Sequence, residues 1–321
     1  MNYDISGKRI WIAGHTGMVG RALLRRLKRI DCEVLTASRK RLNLTRQGAV
    51  ENFLQTNKPD IIIIAAAKVG GILANDRQPA EFLYENLMIE ANIIHAAHEA
   101  DVERLLFLGS SCAYPKFAPQ PIKELSLLQG PLEATNQWYA IAKIAGLKLV
   151  ESYRKQFGCS YISAMPTNLY GPADNFDLET GHVLPALLAK AHSAKTNDEK
   201  TLHIWGTGAP HREFLYVDDL ADALVFLLKN YDGDTPINVG SGEDLSILKL
   251  TEKISKTVGF NGYIQRDLSK PDGTPRKLID SQKLKELGWS PSTPLEKGLA
   301  QTYRWYLKNI IEKQEVEEVV E

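Results

Sequence analysis

The stretch KRIWIAGHTGMVG, residues 8–20, carries an apolar, β-branched and aromatic run through glycines spaced GxxGxxG into an amphipathic segment. A strand that turns straight into a helix needs a residue without Cβ at the bend, and another where backbone must approach a ligand. Outward from it the pattern repeats. Apolar runs at 9–13, 33–37, 61–66, 105–108 and 161–165 read as strands, and segments of helical length and period at 17–30, 45–56, 79–100 and 134–157 lie between them. Right-handed crossovers then return each strand beside an earlier one, which predicts a parallel sheet with helices on both faces. The expected fold class is α/β, a Rossmann-like doubly wound parallel sheet with a smaller α/β substrate-binding lobe.

Past residue 171 the text changes to a helix at 182–193, a polar stretch at 195–200, a strand at 201–205 and three further helical segments separated by Gly and Pro. We therefore expect residues 1–170 to bind a dinucleotide, with later segments returning to that domain, 171–310 to form mainly the substrate lobe, and 311–321 to be a flexible acidic tail. Thirty-nine basic and thirty-nine acidic residues cancel, so no global field points to nucleic acid or an anionic membrane. Three cysteines, Cys32, Cys112 and Cys159, lack CxxC spacing, which argues against a disulfide framework or a structural zinc and fits a reducing cytoplasm. The start has no apolar run of signal-peptide length, and residues 61–67 are too few to span a bilayer, so neither export nor membrane insertion is expected.

The loop residues Gly14, His15, Thr16, Gly17, Met18, Val19 and Gly20 are placed to let a pyrophosphate rest on the helix N-terminus. After the second strand the chain reads Ala37-Ser38-Arg39-Lys40-Arg41, with no acid to hold a ribose 2′-hydroxyl. NADP(H) is the expected cofactor, although the same charges would also serve as a solvated turn. Tyr139 and Lys143 stand at i and i+4 and share a helix face. There a cation lowers the phenol pKa while the tyrosine exchanges a proton with a carbonyl oxygen. Ser110, at the carboxyl end of the fourth strand, can share that oxygen. Cys112, read by itself, is a small buried hydrophobe as readily as a base, and His182 a plain helix-start histidine. His95 and His98 lack a third ligand, and no metal is expected.

The combination of GHTGMVG, AAAKVGGI, GSSCAYPK, YAIAKIAG, MPTNLYGP, HVLPALL, WGTG with HREFLYVDD, and KPDGTPRKLID resembles the extended short-chain dehydrogenase/reductase family, specifically its nucleotide-sugar 3,5-epimerase-4-reductases. The resemblance implies NADPH-dependent epimerisation at carbons 3 and 5 and reduction at carbon 4 of GDP-4-keto-6-deoxy-D-mannose, giving GDP-L-fucose. It makes Cys112 the base, His182 the acid on the opposite face, and Ser110, Tyr139 and Lys143 the reduction set. It also puts Arg39, Lys40, Arg41, Leu42, Asn43, Leu44, Leu108, Gly109, Ser110, Ser111, Lys143, Pro166, Thr167, Asn168, Leu169 and His182 beside the cofactor. Lys190, Trp205, Arg212, Asp272 and Lys277 fall on its substrate side, and a homodimer is implied through the helix of Tyr139 and the one at 79–100. Thr16 departs from relatives that carry arginine beside the 2′-phosphate, which leaves NADP selectivity to Arg39 and its neighbours. A nucleotide-sugar 4-epimerase or dehydratase, a simple ketoreductase using Ser110, Tyr139 and Lys143, and a nonenzymatic NADP-sensing protein remain open; the dehydratase usually carries an Asp-Glu dyad where this chain has Ser111 and Cys112.

Overall fold

The computed structural model describes residues 3–270 and 272–312. Along the chain run β1 (Arg9–Ala13), α1 (Met18–Leu27), β2 (Glu33–Leu35), α2 (Gln47–Asn57), β3 (Ile61–Ile64), α3 (Ile72–Arg77), α4 (Pro79–Glu99) and β4 (Arg104–Leu108). There follow α5 (Gln137–Phe157), β5 (Tyr161–Pro166), β6 (Asn168–Tyr170), α6 (Val183–Thr196), β7 (Thr201–Trp205), β8 (His211–Tyr216), α7 (Val217–Asn230) and β9 (Ile237–Val239). The remainder is β10 (Asp244–Ser246), α8 (Ile247–Val258), β11 (Tyr263–Asp267), β12 (Arg276–Lys277), α9 (Gln282–Glu286) and α10 (Leu295–Tyr306).

Six strands form one parallel sheet in the order β2-β1-β3-β4-β5-β9. Strand β3 is four isoleucines, all fully buried, because both faces of such a sheet are covered. Each contributes about 1.5–3 kcal/mol relative to an exposed side chain. Helices α1 and α7 cover one face and α2, α4 and α5 the other, each sealing its own apolar core. The order reverses between β1 and β3, and such a switch point opens a crevice outside the carboxyl ends of the strands. Ala13 pairs with Ile64 and Ile64 with Phe107, so these strands end level and deliver their following loops to the same edge.

At Thr167 the chain leaves this sheet, and β6 pairs with β8 in a second sheet that also holds β10 and β12. With the parallel pair β7–β11 and helices α6, α8 and α10 it encloses a third core. Two expected strands are shorter than their apolar runs. Strand β3 stops at Ile64 because its partner β1 turns away at Gly14, and β2 stops at Leu35. Residues 134–136 form a 3-10 turn before α5 begins. Among the described residues four α-helices rather than three follow residue 205, since α9 has five residues, too few to show a period. The last helix continues as a π-helical turn to Ile311, and residues 313–321 of the expected tail lie outside the described residues. Among the described residues no helix is long and apolar enough to cross a membrane.

Candidate active site

Gly14 turns the chain out of β1 with φ of 92°, a left-handed conformation that a side chain resists. A Cβ there would lie 2.6 Å from the Ala66 nitrogen, and one on Gly20 would lie 2.2 Å from the Gly14 carbonyl oxygen. The loop is therefore pressed onto the ends of β1 and β3 with only backbone lining it. Gly17 stands at the N-cap of α1 without a side-chain cap, which leaves first-turn N–H groups available to an anion. These features fit a dinucleotide pyrophosphate. Thr16 is exposed, its carbonyl accepting from Arg21 Nε at 2.8 Å, while Met18 and Val19 pack on the core and His15 is half-buried.

The run 39–44 divides. Arg39, Lys40 and Arg41 are exposed, with Arg39 paired to Glu85 at 3.2 Å. Leu42 is buried in the core, Leu44 packs against it, and Asn43 Oδ1 accepts from the Thr45 amide at 3.1 Å. The cationic side chains that this run leaves exposed are those of Arg39, Lys40 and Arg41. Leu108, the last residue of β4, and Ser111 beyond it are buried, and a Cβ on Gly109 would lie 2.5 Å from Met165 Sδ. Pro166 closes β5 and Leu169 packs on the core. The side chains of Thr167 and Asn168 both donate to the Glu213 carbonyl, at 3.4 and 2.8 Å, so they tie the two sheets together.

Ser110 caps the 3-10 turn Ser111–Ala113: its Oγ accepts from the Cys112 amide at 3.2 Å. The turn packs against α5, which carries Tyr139 and Lys143. Lys143, almost wholly buried, donates to the Leu108 carbonyl at 3.0 Å and lies 5.8 Å from the Tyr139 ring centroid. Burial, then the charges of Cys112 and Glu90, push the Tyr139 phenol far above its ordinary range, and Ser110 only partly offsets them. The tyrosine is held as an acid. Burial also pushes the Cys112 thiol up, but Lys277, the Ser110 hydroxyl and Arg212 together outweigh it and hold the thiol below its ordinary range. Lys277 Nζ donates to Cys112 Sγ at 3.4 Å. The surroundings thus favour the thiolate form of Cys112 and the phenol form of Tyr139 in one site.

The lobe supplies those cations. Pairing of β12 with β8 sets Lys277 beside Arg212, and Arg212 Nη1 also donates to the Thr274 carbonyl at 2.6 Å. Adjacent like charges cost stability unless an anion lies between them, so this pair suits a phosphate or a thiolate. His182, the N-cap of α6, is exposed by surface area. Local crowding and then the Lys277 charge nevertheless hold its pKa below the usual imidazole value. Lys190 lies 5.4 Å from the Trp205 ring centroid and Lys270 5.7 Å, leaving a half-exposed indole between two cations. Both Asp272 carboxylate oxygens are taken by Thr207, through its amide at 2.9 Å and its hydroxyl at 2.7 Å, so that side chain shapes the lobe.

Replacing Lys277 with methionine removes the largest influence lowering the Cys112 pKa. A neighbouring cation shifts such a group by about 1–3 units, so the thiolate fraction at neutral pH, and the rate of alkylation of Cys112 by iodoacetamide, are expected to fall about tenfold or more. Peptide mapping separates Cys112 from Cys32 and Cys159, whose thiols burial holds above the ordinary range. An unchanged rate at Cys112 would remove Lys277 from this role.

Two buried acids near the site escape a reading by motif. Glu90 lies 2.8 Å from Lys143 Nζ, and Glu213 accepts from the Gly242 and Ile279 amides at 2.7 and 3.1 Å, fastening the segment that carries Lys277. The available signal for Glu90 was its place on the apolar face of α4, among Asn86, Ile89, Ile93 and Ile94. His95 meets the Tyr153 hydroxyl at 2.7 Å and His98 stacks on Phe157, away from these groups. A cavity of about 410 Å³ lined by Lys58, Asp60, Asp101 and Glu103 opens at the opposite end of the strands and holds none of this chemistry.

Residues 10–240 match the NAD dependent epimerase/dehydratase family. A GDP-L-fucose synthase of Sinorhizobium fredii is 59% identical over 308 residues, which cover 96% of this chain and 98% of that protein. One from Escherichia coli is 52% identical over 315 residues, covering 95% and 98%. Among solved structures, a GDP-L-fucose synthetase from Naegleria fowleri bound to NADP superposes with a TM-score of 0.90 at 30% identity, covering 96% of this chain and 95% of that one.

Proposed function

The chain belongs to the NAD dependent epimerase/dehydratase family and, within it, to the GDP-L-fucose synthases, and from that premise we propose how its residues divide the chemistry. The reaction is NADPH-dependent 3,5-epimerisation and 4-keto reduction of GDP-4-keto-6-deoxy-D-mannose to GDP-L-fucose. The observation that carries the division of labour is the Cys112 sulfur, 3.4 Å from Lys277 Nζ and one turn from Ser110, beside a phenol whose proton is held tightly.

At carbons 3 and 5 in turn, in either order, Cys112 removes the proton and His182 returns one from the opposite face, and between rounds Cys112 loses its proton to water and His182 regains one. As charge grows on the oxygen at carbon 4, the Ser110 and Tyr139 hydroxyls donate to it. NADPH, when bound, supplies the hydride that reduces carbon 4. Tyr139, backed by Lys143, then gives that oxygen its proton. Arg212 and Lys190 take the diphosphate and Trp205 offers a packing face. Residues 1–170 with α7, β9 and α9 hold the cofactor, and most of the rest of 171–310 forms the substrate lobe.

The exposed cations at Arg39–Arg41 support selectivity for a 2′-phosphate. Arg39→Ala is expected to weaken NADPH binding about tenfold to a hundredfold, the worth of a charge-assisted hydrogen bond, and to leave NADH binding nearly unchanged. Equal losses for the two cofactors in a fluorescence titration would sink this assignment. Exposed apolar residues Tyr84 on α4 and Trp138 and Ile141 on α5 support a homodimer built on these helices. A cytoplasmic setting is supported by three unpaired thiols.

The test is incubation with the 4-keto sugar and NADPH in deuterated water, with the product identified by NMR. NADPH oxidation with deuterium at carbons 3 and 5 of a fucosyl product is the expected result. Oxidation without deuterium would leave a ketoreductase and strip Cys112 and His182 of their roles.

A further inference from the structure

We propose that Glu90 is a positioning residue for this chemistry: from beneath α5 its carboxylate anchors the Lys143 ammonium and opposes that charge at Tyr139, so the phenol keeps its proton while Cys112 gives up its own. The inference rests on the epimerase-reductase reading and extends it to a residue that touches neither substrate nor cofactor.

Glu90 and Lys143 are each 2% exposed, and Oε1 lies 2.8 Å from Nζ. The contact is off the angle of a hydrogen bond, and neither Glu90 oxygen has a hydrogen-bond partner among the described residues. Burial pushes the Glu90 carboxyl up, and it is the charge of Lys143, 2.8 Å away, that opposes this and favours the carboxylate; among the described residues the ammonium also donates to the Leu108 carbonyl. Stability does not ask for such a pair, because desolvating two ions can cost more than their attraction returns and apolar residues often serve as well. Helix α5 nevertheless makes room for it. A Cβ on Gly146 would lie 2.6 Å from Glu90 Oε2 and 2.5 Å from Phe107 Cζ. Glycine inside a helix costs about 1 kcal/mol relative to alanine. The glycine thus leaves room at a cost for both the Phe107 ring and the Glu90 carboxylate.

The site needs two opposite protonation states at once. Cys112 must be a thiolate to take a carbon-bound proton, and Tyr139 must stay a phenol to donate to the oxygen. Lys143 acting alone beneath the ring would draw the phenol toward tyrosinate. Glu90, behind the ammonium, cancels that pull, and its charge, after burial and Cys112, holds the phenol pKa up. The titratable and charged groups facing the pair are Lys143 and Tyr139 from α5 and Cys112 from the turn after β4, with Lys277 and Arg212 acting on Cys112 from the lobe. Glu81 and Glu85, farther along α4, are paired with Lys68.

The experiment is the pH profile of kcat/KM for NADPH-dependent reduction of GDP-4-keto-6-deoxy-D-mannose by the full chain, comparing wild type, Glu90→Gln and Glu90→Asp. Burial holds the wild-type limb at or beyond the alkaline edge of the profile, and with the charge removed the limb that reports loss of the Tyr139 proton is expected to move down, into the profile, by about one pH unit or more. Glu90→Asp, which keeps the charge but retracts it, should fall between. An alkaline limb that stays in place in Glu90→Gln, whatever the change in kcat or Tm, would leave Glu90 a packing residue and overturn the proposal. Where Glu90→Gln does not fold, Glu90→Asp alone decides by the same limb. A wild type that does not reduce the keto sugar would overturn the epimerase-reductase reading instead. The proposal is then decided by tyrosinate ultraviolet difference titration of the Glu90 variant against the same variant carrying Tyr139→Phe, where a lowered Tyr139 transition supports it and an unmoved one overturns it.

Discussion

Tyr139→Phe is expected to lower the rate of ketone reduction by about 10²–10⁴-fold, the range over which a positioned general acid acts. Phenylalanine keeps the ring that packs edge-on against Phe82 at 6.5 Å between centroids, so the loss isolates the hydroxyl. Lys143 is bound to the Leu108 carbonyl and to Glu90, not to the phenol oxygen, and should stay in place. NADPH affinity is accordingly expected to change little. Deuterium incorporation at carbons 3 and 5 should fall less than reduction does, because Ser110 still donates to the growing negative charge on the oxygen. Stopped-flow absorbance of NADPH oxidation and NMR of the sugar separate the two steps. Reduction at near wild-type rate would mean that the proton comes from another group.

Cys112→Ser has the complementary signature. A serine hydroxyl is nearly isosteric but lacks an accessible anion at neutral pH, so deuterium incorporation should fall at least about 10²-fold, the loss of a general base. NADPH binding should be little affected, since the Cys112 thiol faces Lys277 and Arg212 of the lobe and the Cys112 amide, which serine keeps, still donates to Ser110. Reduction of the unepimerised ketone should persist. Equal loss of cofactor affinity, measured by fluorescence titration, would refute the assignment of Cys112 as the base. Together the two variants separate proton removal from carbon and proton delivery to oxygen.

The parallel sheet was legible because its signal is local. Four isoleucines at residues 61–64 and a glycine-spaced turn after residue 13 report burial and backbone need wherever they sit. The i, i+4 spacing of Tyr139 and Lys143 likewise follows from helix geometry alone. Other features were not legible. Strands β6, β10 and β12 have two or three residues each, too short to show alternation, and β8 runs three polar residues into three apolar ones without alternating, so the four are recognised only by their pairing with one another. Leu42, expected beside the cofactor, is drawn into the core by neighbours on α2 and β3 that no motif of its own segment reveals.

Residue order by itself determined the fold class, the place of the phosphate-binding turn, the shared face of Tyr139 and Lys143, and, through resemblance, the family. Each of these is set within a turn or two of chain. Only the tertiary structure decided which charge meets which: Lys277 reaches Cys112 from 165 residues away through the β12–β8 pairing, and Glu90 meets Lys143 across two packed helices. The reason is that the Coulomb energy between charges depends on their separation in space and on the water excluded between them. Neither quantity exists until the sheet edge, α4, α5 and the lobe have come together.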